Sequence, residues 1–338
     1  MDKNNKSSAS CTRIGFFGRI NEIIQNSDLC EQEKSRFFLQ LVKARSQHLG
    51  VAIMGSTGAG KTTTINALSG KDVGKIGTGT MPETDRIVEY ELDGITIYDT
   101  PGFGDGVEAD KRHAEEISEL LRRVDENNKA VVDIVLIIVD GSSRDIGTVV
   151  RLINHILIHH FKDEPERIII AINKADRGIQ VGSHFDYENT KPDEVLSRRM
   201  DEMAETIRQR VKESTGIDVN LPIWYVAGGK EEGKEKYPSY NISKLLNAMV
   251  SVTPNEKRAA WVGNISDVEE DFIYDDGAIN YNQQTAAQIW DSTLGCAATA
   301  AGIGALLGSF AGPVGSAIGA GVGAGVAIIV RGFCSIFS

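Results

Sequence analysis

Short apolar runs alternate along this chain with longer stretches whose apolar residues fall on one face. The runs are VAIMG (51–55), ITIYD (95–99), VVDIVLIIVD (131–140), RIIIAIN (167–173) and PIWYVAG (222–228). Each is rich in β-branched residues and bounded by Gly, Asp or Pro, the pattern of strands buried on both faces. Helices are predicted between them over 61–69, 109–127, 144–161, 192–214 and 241–251. A further helix over 28–47, with Phe37, Phe38, Leu41 and Val42 near helical spacing, leads into the first strand. The alternation predicts an α/β fold, a mostly parallel sheet flanked by helices. Such a sheet carries its ligand at the carboxyl ends of the strands.

Beyond about Pro254 this pattern stops. Residues 1–27 read as a mobile tail, 28–255 as one domain with its leading helix, and 256–291 as a polar, acidic connector containing VEEDFIYDDG. Residues 292–331 are different again, rich in Gly and Ala.

The strongest chemistry lies just after the first strand. Gly55-Ser56-Thr57-Gly58-Ala59-Gly60-Lys61-Thr62 matches G-x-x-x-x-G-K-[ST], with a strand before it and a helix, opening through Thr63, after it. The glycines let backbone N–H groups turn inward around a β-phosphate. Lys61 can reach the β- and γ-oxygens, and the Thr62 hydroxyl can ligate Mg²⁺. The helix beginning at Lys61 adds the positive end of its dipole. A nucleoside triphosphate is the expected ligand.

Two readings of the base compete. The strand ending at Asp140 has the form of a Walker B strand and would suit an ATPase. Against it stands YDTPGFG, where Asp99 can hold Mg²⁺ through water and the Gly102 N–H can meet a γ-phosphate. The segment Asn173-Lys174-Ala175-Asp176 decides between them. A carboxylate at Asp176 can accept from both N1–H and the exocyclic amine of guanine. Adenine has no N1–H, so the carboxylate would be left unpaired, and an unpaired buried charged group costs more than a lost neutral hydrogen bond. Lys174 is expected to lay its stem on the purine and tie back to the phosphate loop. The base is read as guanine.

With GSTGAGKT, DTPG and NKAD in this order, the chain resembles the translation-factor-related GTPases, closest to the Era/YfjP-like branch, over about residues 45–255. The resemblance implies a P-loop GTPase fold, cycling between GTP and GDP, and a switch threonine that closes over Mg²⁺ and the γ-phosphate. Within GTGTMPETDRI, Thr84 is the better match and Thr80 its rival. It also implies a last base-contacting loop, here VAGGK, in which the backbone N–H groups of Ala227 and Gly228 would meet guanine O6. Where Ras-like members carry a water-orienting Gln, this chain has Phe103, and Gly58 stands where K⁺-activated relatives carry Asn. Slow intrinsic turnover is therefore expected, accelerated by an activator protein or by homo-oligomerisation. Arg86 is a candidate catalytic arginine, with a solvated surface residue as the competing reading.

Composition narrows the partners. A net charge of −11 argues against a general DNA or RNA binder, whose affinity comes from neutralising phosphates. The four cysteines are scattered without a Cys-x-x-Cys pair, and the N-terminus has no apolar core of a secretory signal, so reduced thiols in the cytoplasm are expected. His155, His159 and His160 read as surface or packing residues. From Ser292 to Val330 no charged residue occurs, and glycines recur at Gly304, Gly308 and Gly312, then at Gly315, Gly319 and Gly323, on either side of Pro313. In a bilayer that spacing makes a flat face for close helix contact. A glycine-zipper helical hairpin contacting membrane lipid, at the cytoplasmic face, is the expectation. The alternatives are a GTP-gated membrane-permeabilising effector and a ribosome-assembly GTPase.

Overall fold

The computed structural model describes residues 30–70, 86–103, 106–143, 147–154, 158–178, 182–228, 237–262, 264–266 and 269–294, with isolated positions between 18 and 26. The expected glycine-zipper hairpin beyond Leu294 and both switch threonine candidates, Thr80 and Thr84, lie outside these residues. In chain order the strands are β1 (Leu49–Gly55), β2 (Val88–Leu92), β3 (Ile95–Asp99), β4 (Ile134–Asp140), β5 (Ile168–Asn173), β6 (Phe185–Asp186), β7 (Lys191–Pro192) and β8 (Ile223–Trp224). The α-helices are α1 (Glu31–Ser46), α2 (Lys61–Ser69), α3 (Val107–Arg122), α4 (Gly147–Leu152), α5 (Ile158–Phe161), α6 (Glu194–Thr215), α7 (Ile242–Val252) and α8 (Tyr281–Leu294).

Six strands form one sheet in the order β2-β3-β1-β4-β5-β8, and β6 and β7 form a separate antiparallel pair. Within the large sheet β3, β1, β4, β5 and β8 run parallel, and β2 is antiparallel to β3 at the edge. The expected mostly parallel sheet flanked by helices, the P-loop GTPase fold, is therefore present. The chain leaves β1 in one direction to reach β3 and in the other to reach β4, so the loop after Gly55 opens at a topological switch point, where such sheets bind their ligands.

Strict alternation assigns the strand residues to two cores. Leu49, Val51, Ile53, Ile134, Leu136 and Ile138 pack on one face with Phe37, Leu41, Ile65, Leu245 and Ile289. Ala52, Met54, Val135, Ile137, Ile170 and Ile172 pack on the other with Ile117, Leu120, Met200 and Ile207. Helix α1 buries Phe37, Leu41 and Ala44 but leaves Phe38 and Val42 about half exposed, so only part of the apolar stripe read from the sequence faces the core.

Three elements differ from the sequence expectation. Strand β2 joins β3 through Asp93-Gly94, with Gly94 at φ 78°. This is a two-residue hairpin turn whose Asp-Gly signal went unused. Helix α3 ends at Arg122 rather than at 127, because Asp125 accepts from the backbone N–H groups of Asn127 and Lys129 and closes a turn. Of the helix predicted over 144–161, the described residues include α4 and α5. The apolar run at 222–228 is a strand only at Ile223–Trp224; the Tyr225 N–H still donates to Ile172 of β5, Val226 pairs with Tyr240, and Val226 to Gly228 line the site cavity.

The largest correction concerns the acidic connector. The described residues between 255 and 294 are folded: a 3₁₀ segment (Asn255–Trp261), a shorter one (Glu269–Phe272) and α8. Ala260, Trp261, Phe272, Ala286 and Ile289 are buried in the same core as β1 and α7. Lys257 donates to both carboxylate oxygens of Asp133 at 2.7 Å, and Asp133 also accepts from the Gly50 N–H at 2.9 Å. The acidic residues that suggested a tether hold polar groups of the domain. Ser239 donates to Asp271, Ser243 to Asp275 and Lys244 to Asp276. Among the described residues no helix is long and apolar enough to cross a membrane.

Candidate nucleotide-binding site

The phosphate loop follows β1 because its backbone cannot continue as strand or start as helix without glycine. Gly60 caps α2 at φ 91°, a left-handed conformation unfavourable for other residues, and an added Cβ would strike the Asn173 amide. Lys61 folds back over the loop, its Nζ 3.4 Å from the carbonyls of Gly55 and Ser56. An incoming phosphate would offer that ammonium a charged partner instead.

Thr62 and Asp99 meet at the end of the loop. The Thr62 hydroxyl donates to Asp99 Oδ2 at 3.4 Å, whereas Asp99 Oδ1 is buried without a hydrogen-bond partner. Burial pushes the Asp99 carboxyl above its ordinary range, against the opposing pull of the nearby Lys61 ammonium and the Thr62 hydroxyl. A buried carboxylate with an unused oxygen beside a hydroxyl is the donor set of a hard cation. Mg²⁺ fits here. Thr62 and Asp99 would hold it, and among the described residues no group of three acidic, His or Cys side chains could hold a metal alone. Phosphate oxygens must supply further ligands, as is usual for Mg²⁺ at nucleotide sites.

The competing carboxylate, Asp140, is committed elsewhere. It accepts from Lys174 Nζ at 2.6 Å and from the Ser142 N–H at 2.9 Å. Although burial works against its charge, the bonds from Lys174 and Ser142 hold its carboxyl below the usual range. Both Asp140 oxygens thus have partners, whereas Asp99 Oδ1 has none. The bond to Asp140 also corrects the expectation for Lys174, whose ammonium ties to β4 and not to the phosphate loop. The tie to the loop is made by Asn173, whose amide donates to the Ala59 carbonyl at 3.0 Å.

The same Asn173 accepts from the Ala227 N–H at 3.1 Å, so that N–H is not free for guanine O6 as expected. Gly228, at φ 68°, turns the loop beside it. Asp176 is buried, on a 3₁₀ turn that starts at Lys174 in the left-handed conformation, φ 58°. Its Oδ2 accepts from the Tyr187 hydroxyl at 2.9 Å. Gly60, Thr63, Asn173, Lys174, Asp176, Ala227 and Gly228 thus line one cavity of about 210 Å³, together with Arg177, Val226 and Tyr237. Behind it the fully buried Tyr225 hydroxyl lies 2.6 Å from Thr64 Oγ1 and links α2 to the base loop.

The DTPG segment is zipped onto the phosphate loop. The Phe103 N–H donates to the Gly55 carbonyl, and the Thr57 N–H donates to the Phe103 carbonyl, each at 3.3 Å. Gly102 approaches Thr57 so closely that a Cβ would collide with its backbone. The Phe103 side chain is buried in the core with Met54 and Ile117. His113 on α3 lies 3.0 Å from the Gly102 carbonyl through Nδ1, which must carry the proton because the carbonyl only accepts. Sequence reasoning missed Tyr187, Tyr237, Tyr225 and His113. None sits at motif spacing, and only the fold brings them to the cleft. Arg86 is exposed, and His155 lies outside the described residues.

Residues 50–174 match the family described as 50S ribosome-binding GTPase. They carry the P-loop GTPase fold. The domain is 30% identical over 122 residues to the Probable GTP-binding protein EngB of Methanococcus maripaludis, a match covering 35% of this chain and 50% of that protein. The chain therefore spans about half the length of this curated relative. A solved structure of a probable GTP-binding protein engB is similar at 23% identity and a TM-score of 0.37, over 60% of this chain and 97% of that one. Toc33 from Arabidopsis thaliana, solved in complex with GDP and Mg²⁺, is similar at 21% identity and a TM-score of 0.42, over 70% of this chain and 97% of that one.

Proposed function

We propose that this chain binds GTP with Mg²⁺, hydrolyses it slowly to GDP, and uses the change of state as a switch at a membrane surface. One observation carries the nucleotide reading. A buried oxygen of Asp99 has no hydrogen-bond partner beside Thr62, where the phosphate loop ends, and the buried Asp176 lines a cavity with Asn173, whose amide ties that cavity to the same loop at Ala59. Slow turnover is supported by Phe103, which offers no group to orient water and is packed into the core. The hydrolysis-promoting group then comes from an activator or a second copy of the chain, and Thr84 is the threonine proposed to close over the γ-phosphate. Membrane association rests on the uncharged run from Ser292 to Val330. Its length is that of two segments of about 17–21 residues, near the ~20 needed to span a bilayer.

Calorimetry tests the nucleotide reading. GTP and GDP should bind in the presence of Mg²⁺ and ATP should not, and the Lys61→Ala variant should lose GTP binding. Preference for ATP, or unchanged binding by the variant, would overturn it. A second reading, association with ribosomal particles, is favoured by the description of the matched family. Co-sedimentation with such particles that survives removal of residues 295–338 would support it over the membrane reading.

A further inference from the structure

The hairpin between the NKAD turn and α6 has no role in the reading so far. It places a phenol against the base-recognising carboxylate. Strands β6 and β7 are two residues each. Their turn is fixed by Asp186, which accepts from the N–H groups of Glu188 and Asn189 and from the Asn189 amide. Tyr187, at the start of that turn, is held from both sides. Its ring lies 5.1 Å from Phe185 and, edge-on, 5.6 Å from Tyr237, which lines the cavity. Its hydroxyl reaches Asp176 Oδ2 at 2.9 Å. Arg177, whose Nε is 4.0 Å from the same oxygen, is too distant for a hydrogen bond.

We infer that Tyr187 is a positioning residue for base recognition: it locks the rotation of the Asp176 carboxylate so that both oxygens face the cavity at once. The inference rests on the guanine reading of Asp176. A carboxylate has about four acceptor sites, and Tyr187 takes one of them on Oδ2. The sites left on the two oxygens suffice for the two donors of a guanine edge, N1–H and the exocyclic amine. A locked carboxylate meets both donors together. A free one can rotate to follow either, so it discriminates less against a purine that offers N1–H alone. Burial raises the Tyr187 hydroxyl above its ordinary range, and donation to Asp176 raises it further, so the phenol remains a donor throughout the neutral range.

The test is Tyr187→Phe in the full chain, which keeps the ring contacts and removes only the hydroxyl. Affinities for GDP and for IDP, which lacks the exocyclic amine, are measured by calorimetry on both proteins. The variant should bind GDP more weakly on the order of tenfold. Its preference for GDP over IDP should shrink by a similar factor, since IDP affinity changes less. Equal weakening of both ligands would mean a merely structural role and overturn the inference, as would a variant within twofold of the parent in affinity and preference. Tyr187→Leu, which removes ring and hydroxyl, supplies a second comparison: the preference should fall at least as far as in the Phe variant, and a retained preference overturns the inference. If the parent itself shows no preference for GDP over ADP, the guanine reading fails, and that failure is visible before any variant is compared.

Discussion

Asp99 is the residue at which the cost of the site is most visible. Its carboxylate is 1% exposed and one oxygen has no partner, an arrangement that costs on the order of 1–3 kcal/mol until a cation arrives. Asp99→Asn should therefore leave the nucleotide-free chain as stable as the parent or more stable by about 1 kcal/mol, while Mg²⁺-dependent nucleotide binding is lost. Thermal melts with and without Mg²⁺·GDP check both halves. The pH dependence follows with a definite sign. A carboxyl raised in the folded state disfavours folding once it ionises, so this destabilisation is absent below the unfolded value and grows as pH rises through the folded value. Mg²⁺ needs the ionised form, so its affinity should fall as pH drops below the raised value, with a proton released on binding. Tyr187 and His113 illustrate what motif spacing does not reveal. Lys61, Thr62, Asp99 and Asp176 were legible because each lies at a fixed offset from a glycine or a strand end. A phenol eleven positions beyond Asp176 meets it only through a hairpin.

At the level of elements, the sheet was readable because β1, β4 and β5 are buried on both faces and appear as unbroken apolar runs. The edge strand β2 alternates half-buried and exposed residues along VEYEL, and such a pattern is weak unless the Asp-Gly turn after it is weighed. The 255–294 region was read as a connector because its charges suggested solvent. Those charges are spent on capping and bracing. Lys257 and Asp133, with side chains 13% and 7% exposed, form a more buried ion pair than Lys244 and Asp276. Lys257→Met should lower stability by about 2–3 kcal/mol, because it strands a buried carboxylate. In urea this would appear as a lower midpoint with an unchanged slope. A shift below 0.5 kcal/mol, roughly the size of a surface substitution, would show that the brace is ornamental.

For the whole molecule, the domain boundary moves from about residue 255 to the end of α8. A chain that stops at residue 255 should therefore aggregate or unfold, because it exposes Leu245, Met249 and the apolar residues around Trp261's place in the core. A chain ending at Leu294 retains every described element. That chain is the proper control for lipid binding. The full chain should float with liposomes, the shortened one should not, and equal flotation of the two would remove the role proposed for residues 292–331. Dye leakage from the same liposomes separates anchoring from permeabilisation.

Helix α8 does not stop at the last charge before the uncharged run. It continues from Asp291 through Ser292 and Thr293 to Leu294, while Ala286 and Ile289 root it in the domain. The first three uncharged residues, 292–294, thus belong to a helix anchored in the domain's core. A fluorescent label at Ser292 should accordingly tumble with the whole particle, with nanosecond anisotropy decay at the rate of a body this size and no fast local component.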